Sequence, residues 1–212
     1  MYKEALNGRT LTEVIDDVRS APNYIKYEDL PQNYINAVIA VEDHRFREHG
    51  AIDMVGIARA IYINIKNFEL LEGGSTISQQ VAKNIFYIED TKPIPRKIAE
   101  ILTAFDLEKN FTKDEILELY VNTIYFGDGY YGIEEACQGY LGKSTTEMNL
   151  QDCTMMAGIP NAPSIYAPTV NPDLTRSRQE KVISDMQEYG YLSESDSQKL
   201  LNSLDKYYEN FD

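Results

Sequence analysis

The chain has 212 residues, enough for one sizeable core and short for two independent ones. Its 43% hydrophobic and 25% charged residues read as a folded globular protein rather than a disordered one. With 34 acids against 20 bases the formal net charge is −14, which excludes a general nucleic-acid binder, because neutralising phosphates needs a basic face.

The N-terminal MYKEALNGRT lacks the apolar core of a signal peptide, and no run reaches the roughly 18 apolar residues of a spanning helix. SAPNYIKYEDLPQ is a loop, and after its Pro31 the stretch Asn33 to Val41 predicts a helix buried on every side. The segment from Asp53 to Gly73 carries more apolar surface than one helical stripe explains. It is expected to be mobile and to touch a membrane, against the alternative of an ordinary core helix, which periodicity does not separate from it. Thr76-x-x-Gln79 and Thr112-x-x-Glu115 have the form of capping boxes. DTKPIPR is a loop in which Pro95 suits a first helical position.

Ile98, Ile101, Leu102 and Phe105 follow the i, i+3, i+4, i+7 rule, as do Ile133, Ala136, Cys137 and Tyr140; Leu200, Leu204, Tyr207, Tyr208 and Phe211 make a further stripe. GDGYYG and PNAPSIYAPTVNP read as extended or turning segments. No segment alternates as a strand would, so the fold class is mainly α. Cys137 and Cys153 give neither a disulfide framework nor a metal spacing and read as buried free thiols.

The chemistry starts where the buried helix ends, at EDHRFREHG. Burial and the negative end of the helix dipole both disfavour a charged carboxylate, so both raise the pKa of Glu42, as a general base near neutral pH requires. The competing reading is a surface ion pair of Glu42 with Arg45 or Arg47. His44 and His49 lack the spacing of metal ligands and read as hydrogen-bonded structural histidines. In GGSTISQQVAKN, Thr76 caps a helix whose first amides suit an anion, with Lys83 on the same face. In RKIAE, Glu100 sits one turn after Arg96 and Lys97. With Lys83 and Lys92 these make four bases within fifteen residues of an acidic chain, a cluster that suits a pyrophosphate better than a carboxylate.

EDHRFREHG, GGSTISQQVAKN, RKIAEILTAFDLEKNFTKDEILELYVNTIYFG and NAPSIYAPTVNPDLTRSRQEKV, in this order from about residue 24 to 192, resemble the motifs of the family 51 glycosyltransferases. These are the peptidoglycan polymerase domains of class A penicillin-binding proteins and the monofunctional transglycosylases. The resemblance implies a single peptidoglycan glycosyltransferase domain over residues 1–212, built as a lysozyme-like α-helical head with a smaller, membrane-facing jaw in which residues 53–73 are the mobile segment. It implies lipid II and the growing lipid-linked glycan as substrates, polymerised by an inverting transfer that releases undecaprenyl pyrophosphate. Moenomycin is the inhibitor that it implies. Carried over by position, Glu42 is the base and Glu100 the second acid. Asp43, Phe46, Ser75, Thr76, Gln79, Gln80, Lys83, Asn84, Lys92, Arg96 and Lys97 line the substrate site. No cofactor is required, and Glu100 is the residue that would hold a divalent cation, magnesium or manganese. The implied location is the outer face of the bacterial cytoplasmic membrane, reached through an N-terminal anchor not present in this chain, with other cell-wall synthesis proteins as partners. Two positions depart from the family pattern. Ala51 replaces the glycine that usually ends the first motif, and Ser78 replaces a threonine of the second.

Two other classes compete with the transferase reading. A lysozyme-like hydrolase or lytic transglycosylase also uses glutamates in a helical fold, but cleavage of a glycosidic bond needs no pyrophosphate site. A non-catalytic binding module would be expected to lack one acid or part of the basic set, and every one of these positions is filled.

Overall fold

The computed structural model of the chain describes residues 6–67, 74–88, 92–209 and 211. In chain order its helices are α1 (Leu11–Arg19), α2 (Gln32–Glu42), α3 (Met54–Asn67), α4 (Ile77–Phe86), α5 (Pro93–Asn110) and α6 (Lys113–Thr123). A hairpin of β1 (Tyr125–Gly127) and β2 (Tyr130–Tyr131) follows. After it come α7 (Ile133–Leu141), α8 (Leu150–Gly158), α9 (Pro163–Tyr166), α10 (Pro172–Glu188) and α11 (Glu194–Tyr208). The mainly α class expected from the sequence is borne out. The two strands are too short for a period of two to register in the sequence, and they pair antiparallel with a bulge between Tyr125 and Gly127. Their turn runs through Gly127, Asp128 and Gly129, all with positive φ. Gly132 ends the hairpin at φ 85°, where a Cβ would come within 2.8 Å of the Asn122 carbonyl oxygen, so only glycine fits.

Two compact units divide the chain, one of Met1–Ala21 with Arg45–Tyr120 and one of Pro22–His44 with Val121–Asp212. In the second unit α2, α8 and α10 pack on one another. Tyr34, Ile35, Ala37, Val38, Ile39 and Ala40 of α2 are all buried, which explains a helix apolar on every side: it runs through a core rather than along a surface. α11 is fastened to this core by Tyr208, whose hydroxyl donates to Gln179 at 2.8 Å, and by Tyr207, which donates to Asp152 at 2.8 Å. Cys137 and Cys153 are free and buried, and burial pushes both thiols up to about 12.

In the first unit α4 lies against α5. Helix α5 begins at Pro93, so Pro95 is its third residue rather than its first; proline is tolerated there because the first amides of a helix have no intrahelical acceptor. The face that α5 buries is Ala99, Glu100, Thr103, Ala104 and Leu107. Its periodic apolar residues marked a helix but lie on the outside: Ile98, Leu102 and Phe105 are 57%, 54% and 51% exposed. Met54, Val55, Ile61, Tyr62 and Ile65 of α3 are likewise exposed, while Ala60 is buried. Residues 68–73 of the expected jaw segment lie outside the described residues. PNAPSIYAPTVNP turns as expected, the 3-10 turn Ile159–Asn161 ending within it, and also holds α9, which starts on Pro163 as a proline-led helix can.

Candidate active site

In the second unit, Glu42 is the last residue of α2 and Asp43 is its C-cap, with the Asp43 amide donating to the Ile39 carbonyl at 3.1 Å. Glu42 is half-buried, and its Oε1 is shielded from solvent. The carboxylate thus sits at the negative end of a helix whose body is core. The next residue, His44, stacks on Tyr189 with ring centroids 4.3 Å apart and planes at 15°, a packing role.

The remaining candidate residues belong to the first unit. Arg45 faces Glu48 at 3.1 Å and Asp53 at 3.8 Å, and Arg47 faces Asp114 at 2.8 Å, so each arginine has carboxylates of its own. Asp53 opens α3, accepting from the Val55 amide at 3.0 Å. Burial works to raise its pKa, but the Gly56 amide, the charges of Arg45 and His49 and the Val55 amide together hold it below the ordinary value. His49 keeps its Nδ1 2.7 Å from the Gly50 carbonyl, a local structural contact.

Helix α4 departs from the open anion site that its sequence suggests. Thr76 caps it by accepting from the Gln79 amide at 3.2 Å, and Thr76, Ile77, Ser78 and Gln79 are all buried. The Thr76 hydroxyl and the Gln79 side-chain amide both donate to the Ala51 carbonyl, at 3.0 and 2.8 Å. The helix start is therefore closed by protein, and Thr76 and Gln79 hold the 45–51 stretch in place rather than facing outward. Ala51 is one of the two positions that depart from the pattern the sequence resembles. The work there is done by a backbone oxygen, which no side-chain pattern signals, and the buried alanine methyl fits beside it. Phe46 is also fully buried.

Among the described residues of this unit, two bases stand at the buried Glu100. Glu100 is 3% exposed, with Arg96 Nε 3.2 Å from Oε1 and Lys97 Nζ 3.2 Å from Oε2. Lys97 Nζ also donates to the exposed Ser75 hydroxyl at 2.8 Å, which joins the GGST motif to RKIAE. Lys83 is exposed on α4, and Lys92, also exposed, is the N-cap of α5, its carbonyl accepting from the Arg96 amide at 3.1 Å. Gln80 is half-buried on α4, and the buried Nδ2 of Asn84 makes no hydrogen bond among the described residues. Both Glu100 oxygens, the atoms that a divalent cation would take, face a base, Arg96 at Oε1 and Lys97 at Oε2. The position of Glu100 fixes both bases in one orientation, from which they can meet a multiply charged anion.

A family model described as Transglycosylase matches residues 7–187. A candidate transglycosylase of Cupriavidus necator is 43% identical over 175 residues, covering 82% of this chain and 75% of that protein. Penicillin-binding protein 1A of Pseudomonas aeruginosa is 40% identical over 194 residues, 92% of this chain but only 23% of the relative, so the chain spans about a quarter of such proteins. The crystal structure of penicillin-binding protein 1A from Haemophilus influenzae aligns with a TM-score of 0.50 and 24% identity over 84% of this chain and 17% of that one, a likeness of fold.

Proposed function

The chain belongs to the transglycosylase family, and from that premise we propose that it polymerises lipid II into β-1,4 glycan with inversion at the donor carbon. Glu42 takes the proton of the acceptor's 4-hydroxyl. That oxygen forms a bond to the anomeric carbon of the donor, from the face opposite the leaving group. The bond from that carbon to the pyrophosphate oxygen breaks, and its electron pair leaves with undecaprenyl pyrophosphate. Lys83, Lys92, Arg96 and Lys97 stabilise the departing charge, and Glu100 holds the last two in place.

The observation that carries this reading is the Ser75–Lys97–Glu100–Arg96 cluster: a buried carboxylate presenting two bases at the surface of a chain with net charge −14. Such an arrangement suits a pyrophosphate, which leaves without needing a strong acid, whereas a glycosidic oxygen needs one.

The same reading places the protein at the outer face of the bacterial cytoplasmic membrane, beside its lipid-linked substrate and other cell-wall synthesis proteins. Among the described residues no helix is long and apolar enough to cross a membrane. The exposed apolar side chains of α3 and α5 are the surface that this reading brings to lipid.

Incubation with labelled lipid II should yield polymer and undecaprenyl pyrophosphate, while preformed glycan without lipid should be left intact. Release of muropeptides from purified glycan at a rate comparable to lipid II consumption would replace the transferase with a hydrolase or lytic enzyme.

A further inference from the structure

Lys113 is the first residue of α6, where the positive end of the helix dipole disfavours a cation and where Asp114 and Glu115 are the expected residues. Its side chain is only 20% exposed. Two contacts offset that placement. Its Nζ donates to Glu108 Oε1 at 2.7 Å and lies 4.4 Å from the centroid of the buried Phe46 ring. The same Glu108 oxygen accepts from the hydroxyl of Ser78, which is fully buried in the first turn of α4. One ion pair therefore joins three segments: the 45–51 stretch through Phe46, α4 through Ser78, and the connection from α5 to α6. Next to it, Arg47 pairs with Asp114 at 2.8 Å. At the far end of the stretch, Ala51 accepts from Thr76 and Gln79. The stretch and the start of α4 are thus tied together at both ends.

We propose that Glu108 and Lys113 are positioning residues for glycosyl transfer, resting on the transferase reading above. Neither needs to touch substrate. Together they set the seat of Phe46 and of α4, the helix from which Gln80, Lys83 and Asn84 project. Ser78 belongs to the same device: its hydroxyl is the donor through which α4 is held.

The test compares Lys113→Met, which keeps the aliphatic stem without the charge, with Lys113→Arg, which keeps both the ion pair and the contact with the ring. Lys113→Met should lower kcat/KM for lipid II roughly tenfold to a hundredfold, mostly in kcat, because misplaced groups lose contacts made in the transition state. Lys113→Arg should stay within about threefold of the wild type. Hydrogen exchange should rise in peptides covering 45–51 and 76–86 in the Met variant only. If Lys113→Met fails to fold, Ser78→Ala removes one strand of the same tie and should show the same pattern, smaller. Unchanged exchange in both peptides, activity of Lys113→Met near that of the wild type, or no rescue by Arg would each overturn the proposal. A wild type that does not polymerise lipid II would sink the transferase reading instead, and with it the catalytic half of this proposal, while the exchange data would judge the tie separately.

Discussion

Helices α2 and α5 carry the two candidate acids and are patterned in opposite senses. α2 is apolar along its body, buried on all sides in the second unit, and delivers Glu42 only at its end. α5 buries a carboxylate in its middle and leaves Ile94, Ile98, Leu102 and Phe105 exposed. Hydrophobic burial accounts for α2 without further argument. It does not account for α5, whose buried face is held largely by small residues and by charge pairing at Glu100. The contrast separates two ways of holding an acid: by the stiffness of a core helix, and by the partners facing the carboxylate.

The sharpest test of the α2 side is Glu42→Gln, which removes the base and keeps the shape. Polymerisation of lipid II should fall by about 10²- to 10⁴-fold with the melting temperature nearly unchanged. Activity within tenfold of the wild type, roughly 1.4 kcal/mol of barrier, would take Glu42 out of the catalytic role. On the same helix, Ile39→Ala should cost about 2–5 kcal/mol of stability by denaturant unfolding, because a cavity is left in a closed core.

The α5 side should respond to charge. Lys83→Ala and Arg96→Ala should each weaken binding of fluorescent moenomycin roughly tenfold or more, as loss of a charge-assisted contact does. Lys109→Ala, an exposed base at the end of α5, is the control. Equal losses at Lys109 and Lys83 would mean that a general field rather than a built cluster holds the anion.

A smaller effect should appear with acid. In the first unit Asp53 is held below the ordinary value, as described above. In the second unit Glu134 is too: burial works to raise it, but the Thr145 amide, the Thr145, Gln138 and Ser144 side chains outweigh that. A depressed carboxylate means that the unfolded chain binds more protons, so the stability it contributes is complete above its unfolded pKa of about 4 and is lost as pH falls through the lower folded value. Asp53→Asn, which keeps a capping side chain at α3, should flatten the fall in melting temperature below about pH 4. A profile identical to the wild type would remove Asp53 as a source of acid sensitivity.

Much of the fold was legible because helical periodicity and capping pairs are local. Thr112 and Glu115 satisfy each other as their spacing predicts, the Thr112 amide donating to Glu115 at 2.8 Å. The buried run before Glu42 predicted its helix to within a residue at each end. The facing of α5 was not legible, since periodicity finds a stripe without saying whether core or solvent lies beyond it. Nor was the role of Thr76 and Gln79, whose shared acceptor is the backbone oxygen of Ala51, more than twenty residues away. The basic cluster was legible as composition; only the structure shows Glu100 with one base at each oxygen.

The apolar stripe of α5 carries the prediction with the smallest effect on stability. Ile98, Leu102 and Phe105 are more than half exposed, so replacing them removes little buried surface. Leu102→Ser should change unfolding free energy by only about 0.5 kcal/mol, far less than Ile39→Ala. If the stripe meets lipid, as the transferase reading requires of some surface on this chain, the same substitution should act elsewhere. Leu102→Ser combined with Phe105→Ser should weaken co-sedimentation with anionic phospholipid vesicles and leave melting in plain buffer unaltered. The chain's net charge of −14 opposes such vesicles, so retention by them would have to come from apolar contact. A double variant that melts many degrees lower and binds vesicles as well as the wild type would place the stripe against protein and reverse the contrast with α2.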